Sequence, residues 1–124
     1  MSVLCGCSIA SAIGVSAAMI FLYGGSLEDM YAGIRTMTAD ISGMICDGAK
    51  PGCALKIVTS VNAAARAAVL AINGTGATGQ DGIVQKNAEE TLKNLGKLGN
   101  EGMSGTNGVI LNMLLCKTNA ENCG

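Results

Sequence analysis

The chain has 124 residues, with 8 basic and 9 acidic side chains, no His, no Trp, one Phe and two Tyr. One domain is expected at this length, with enough buried surface for a real core. A near-neutral balance with almost no aromatics argues against nucleic-acid binding. The lack of imidazole excludes Ser-His-Asp and Cys-His triads and His-bearing zinc sites.

Core bulk must come from Leu, Ile, Val and seven Met, with Ala and Gly allowing close backbone approach. That composition favours packed helices over a β-sandwich. The expected fold is all-α: about five helices in a compact bundle joined by glycine-rich connections. Residues 1–124 form a single domain, with 117–124 a loose tail.

Val3 to Tyr23 runs 21 residues without a charge, long enough to cross a membrane. Small residues dominate it and no basic flank sets an orientation, so it reads as a soluble core helix, from about Cys7 to Tyr23. It stops at Gly24-Gly25. Ser26 is then the N-cap of a second helix, with Glu28 and Asp29 in its first turn. Leu27, Met30, Ile34, Met37, Ile41 and Met44 recur at steps of three and four, one continuous helical stripe.

The second helix should end near Ser42-Gly43. Met44-Ile-Cys-Asp-Gly-Ala-Lys-Pro-Gly-Cys53 follows, a turn-rich loop with the sole proline. A third helix is predicted from Cys53 or Ala54 to Ile72, apolar on most faces and therefore central, with Arg66 needing a partner or the surface. Gly74 to Gly82 holds four glycines in nine residues and should be an exposed loop. Its resemblance to a dinucleotide fingerprint is superficial, because no βαβ unit surrounds it. A polar helix from about Gln85 to Leu98 should bury Leu92, Leu95 and Leu98. After a glycine-rich link, Gly99 to Gly108, a last helix from about Asn107 to Leu115 should bury Val109, Ile110, Met113 and Leu114.

The six cysteines carry the chemistry. A secreted disulfide scaffold fits poorly, since Cys5 and Cys7 sit inside the apolar opening run. Reduced thiols in the cytoplasm fit better. Cys46 and Cys53 bracket a six-residue loop whose Gly48 and Gly52 could turn backbone N–H groups inward, toward thiolate charge. By spacing alone, two thiolate ligands and two half-buried cysteines beside a turn are equal readings. A third ligand would have to come from Cys5 or Cys7. Two helices of about 25 Å each would return the chain to that starting end. Cys116 and Cys123 share the same spacing, in a tail with no turn between them.

Met44-Ile-Cys-Asp-Gly-Ala-Lys-Pro-Gly-Cys-Ala-Leu-Lys56 resembles the cluster loop of the serine dehydratase alpha-chain family, most closely its L-cysteine desulfidase-like branch. Leu4-Cys-Gly-Cys, Gly24-Gly25, Asp81-Gly-Ile-Val and Glu89-Glu90-Thr-Leu-Lys-Asn-Leu resemble the same branch. The resemblance implies a helical catalytic domain holding a [4Fe-4S] cluster on three cysteines, with one iron open to substrate. Carried over, the ligands are Cys46 and Cys53, with Cys5 matching the upstream ligand better than Cys7 by its Leu-Cys context. The implied activity is elimination of water or sulfide from L-serine or L-cysteine, giving pyruvate and ammonia. Family members are several times longer, so the chain resembles only their C-terminal part. The implied partners are a small amino-acid substrate and, for assembly, a second copy or a chain carrying the N-terminal part. No nucleic acid and no membrane are implied.

Overall fold

The structure, a computed structural model, describes residues 3–117. The chain enters through a π-helical turn, Gly6–Ala10, that runs directly into α1, Ser11–Leu22. Then come α2, Leu27–Ile41, and α3, Cys53–Ile72. The chain continues through α4, Ala88–Lys97, a second π-helical turn, Leu98–Gly102, and α5, Thr106–Cys116. Among the described residues the fold is all-α with five α-helices, as composition and periodicity predicted. The one β-type pairing among the described residues is an isolated antiparallel bridge between Leu4 and Ile45.

Helices α1, α2 and α3 pack on one another pairwise, and α4 packs on α2. The core between them holds Ile9, Ala12, Ile13, Met37, Ile41, Ala63, Ala64, Ala67 and Leu95. Small residues set the spacing. A Cβ at Gly33 would stand 2.4 Å from Ile20 Cδ1, so glycine is what lets α2 close on α1. The start of α2 follows local chemistry: Asp29 N–H donates to Ser26 Oγ at 3.2 Å and Ser26 N–H to Asp29 Oδ2 at 2.7 Å, a reciprocal capping box. The Ser26 hydroxyl, which also donates to Asp29 Oδ2 at 2.7 Å, and the Ser26 N–H hold the Asp29 carboxyl below its ordinary range.

Several sequence expectations are corrected. The α2 stripe buries Met37 and Ile41, but Leu27 is 58% exposed and Met44 lies beyond the helix end. Helix α3 is buried on one side only. Its inner face is Ser60, Ala63, Ala64, Ala67, Ala68 and Ala71, while Leu55, Val58, Val61, Val69 and Ile72 face outward. Alanine allows tighter helix approach than leucine, so the small residues took the interior. Arg66 reaches Asp40 on α2. Helix α4 begins at Ala88, capped by the Asn87 side chain, and buries Ala88, Thr91 and Leu95 while Leu92 is exposed. Its last turn runs on as the second π-helical turn, where the sequence suggested a plain link.

Helix α5 packs on no other helix among the described residues. It buries Ile110, whereas Val109, Met113 and Leu114 are exposed, against expectation. Of the expected loose tail, 117–124, all but Lys117 lies outside the described residues. The candidate membrane run is split into the π turn and a short α1. By length and composition alone, Cys53–Ile72 is the helix among the described residues that could span a bilayer.

Candidate metal centre

The opening segment and the loop after α2 meet at one end of the three-helix core. Cys5 N–H donates to Met44 O at 3.0 Å and Cys46 N–H to Val3 O at 2.7 Å. With Leu4 opposite Ile45, alternation along the ribbon puts Cys5 and Cys46 on its same face, diagonally related. Such diagonal positions lie roughly 7–8 Å apart. Helices of matched length return the chain to its start, and this bridge makes the return specific.

The loop then turns at Gly48, whose φ of 96° is in the region that disfavours side chains. Cys53 is the first residue of α3, and its Sγ lies 3.6 Å from Gly48 O. The first N–H groups of α3 are occupied by the turn itself: Cys53 N–H donates to Lys50 O, Ala54 to Pro51 O and Leu55 to Gly52 O. Further along, Ser60 Oγ contacts Met44 Sδ at 3.8 Å, fastening the ribbon to α3.

Cys5 is 5% exposed, and its Sγ lies 3.4 Å from Ser8 Oγ. Burial pushes this thiol up, but bonds to the Ser8 side chain and backbone, the Lys56 ammonium and the Cys7 backbone together hold it below the ordinary thiol range. Cys5 also opens onto an apolar cleft of about 370 Å³ lined by Ile9, Ile13, Leu92 and Leu95. Cys7 is exposed on the π-helical turn, and Cys46 and Cys53 are half-buried. Cys5, Cys7, Cys46 and Cys53 are all free thiols; Cys116 is not among them, and Cys123 lies outside the described residues.

The structure thus brings Cys5 and Cys46 onto one ribbon and leaves Cys53 at the far side of the loop. Among the described residues, no three Cys, Asp or Glu side chains crowd around a point where a single ion could sit. Sequence reasoning missed Lys56, whose Nζ donates to Ile45 O at 2.9 Å and to Asp47 Oδ1. Its position one turn into the predicted third helix, beside the loop, was the available signal.

Residues 1–112 match the family model for the serine dehydratase alpha chain. A UPF0597 protein of Clostridium perfringens is 50% identical over 117 residues, covering 94% of this chain and 27% of the relative. UPF0597 proteins of Clostridium tetani and Geobacter sulfurreducens are 44% and 41% identical over 119 residues, covering 96% and 95% of this chain and 28% of each relative. The chain therefore spans little more than a quarter of the length of these curated relatives. No solved structure matches it. By the match over nearly its whole length, the chain belongs to the serine dehydratase alpha chain family.

Proposed function

We propose that this chain is the cluster-bearing part of a cytoplasmic lyase that eliminates water or sulfide from L-serine or L-cysteine, with Cys5, Cys46 and Cys53 as ligands of a [4Fe-4S] cluster. The observation that carries the reading is the Leu4–Ile45 bridge, which joins the Cys5 segment to the Cys46 loop. The donor set supports it. Thiols without any imidazole suit iron–sulfur chemistry, and a cluster, being wider than one ion, takes ligands spread over a ribbon and a loop. Cys5 is preferred to Cys7 because it lies in the bridge, while Cys7 points from an exposed turn.

When bound with one iron open, such a cluster supplies Lewis acidity toward a leaving hydroxyl or thiol. The chain's own contribution is to hold the thiols: the ribbon bonds set Cys5 and Cys46, and the α3 start sets Cys53. Groups that bind the substrate carboxylate and take the α-proton are assigned to the part of the family not represented in this chain.

A second reading, a non-catalytic helical domain that assembles with a partner chain or another copy, draws on the outward aliphatic face of α3 and on the relatives' greater length. Anaerobic loading with ferrous iron and sulfide distinguishes the two. The lyase reading expects a brown protein with about four irons per chain. Cys5→Ser, Cys46→Ser or Cys53→Ser should lose the colour, and Cys7→Ser should keep it. A wild-type chain that stays colourless with its thiols intact overturns the cluster assignment.

A further inference from the structure

We propose that Lys56 is the positioning and charge-balancing residue of the thiol site, an assignment that deepens the cluster reading and rests on it for the charge-balancing half. One ammonium joins three parts of the site. Lys56 stands on the first turn of α3, three residues after Cys53. Its Nζ donates to Ile45 O, the ribbon carbonyl immediately before Cys46, and to the carboxylate of Asp47, immediately after Cys46. The backbone carbonyl before Cys46 and the side chain after it are therefore tied to the helix that carries Cys53.

The charges at this end do not cancel. Asp47 pairs with both Lys50 and Lys56, so two ammonium groups face one carboxylate and a positive charge is left over. Lys56 is the more enclosed cation, its side chain 23% exposed against 43% for Lys50. Screening by water is weaker there. Three thiolates gathered on a cluster bring net negative charge into this half-buried corner. A fixed ammonium beside them offsets that cost, and it favours the more negative, reduced form of the cluster.

The tests separate positioning from charge. In the metal-free chain, hydrogen exchange at the Cys5 and Cys46 amides reports the ribbon directly. Lys56→Met should speed both by about tenfold while leaving the buried α2 amides unchanged. Unchanged ribbon exchange overturns the positioning role whether or not a cluster is ever loaded. In chain loaded with ferrous iron and sulfide, Lys56→Met should lose iron to a chelator about tenfold faster. Its reduction potential should shift negative, and Lys56→Arg should restore much of that potential. A Lys56→Met chain with wild-type potential and iron retention overturns the charge-balancing role. A wild-type chain that never loads fails the cluster reading and this role with it, leaving ribbon exchange to decide the other. If Lys56→Met does not fold by circular dichroism, Asp47→Ala, which removes one of the two anchors, serves for the exchange measurement. Lys50→Met should leave ribbon exchange unaltered.

Discussion

The two faces of α3 invert the usual arrangement of a small domain. The inner face is Ser60 and a run of alanines, with Ala64 and Ala68 wholly buried. The outer face carries Leu55, Val58, Val69 and Ile72, at steps that keep them on one side of a 20-residue helix. The interior side is built for close approach of α1 and α2, and bulk there would push the helices apart. The outer side has the bulk but no partner within the described residues. That difference teaches how the packing is divided: the core closes through small residues, and the larger aliphatics of α3 stay uncovered among the described residues. The curated relatives run to about three and a half times the length of this chain.

The comparison is broken most sharply from the inside. Ala64→Leu should destabilise the fold by about 1–3 kcal/mol by overpacking, measured by urea denaturation. A neutral result would show that the alanine face is looser than its burial implies. From the outside, Leu55→Ser combined with Val58→Ser should change stability by less, about 0.5 kcal/mol or under per site. It should also reduce self-association seen by analytical ultracentrifugation. Equal losses from the two faces would erase the distinction.

The smallest effect belongs to a helix start held by polar bonds instead of packing. The Asp29 carboxyl is held low by Ser26, so its contribution to stability is present above the ordinary carboxylate range and lost as pH falls through its lowered folded value. Asp29→Asn should therefore lower the denaturation midpoint slightly at pH 7, and the two proteins should converge in acid. A constant gap across that range would assign the effect to something other than the carboxylate charge.

Much of the fold was legible because its cues are local. Gly24-Gly25, the Ser26 cap, the Asp47-Gly48 and Pro51-Gly52 turns and the Asn73-Gly74 stop each act within a few residues, and the helix ends fall beside them. The turn-rich loop itself was legible too, since Cys46, Gly48 and Cys53 are near neighbours in sequence. Burial was harder to read. Leu27, Leu92, Val109, Met113 and Leu114 have apolar side chains at helical spacing, yet spacing says only that residues share a face, not that anything covers it.

The sequence by itself therefore determined the helices, their caps and the turn that separates Cys46 from Cys53, because short-range hydrogen bonding and backbone preference are written into adjacent residues. Only the tertiary structure decided that Cys5 pairs into the ribbon beside the Cys46 loop, that Lys56 ties that loop to α3, and that alanine faces inward. Those outcomes join segments from about ten to some forty residues apart or depend on which side of a helix finds a neighbour, and both are settled by packing.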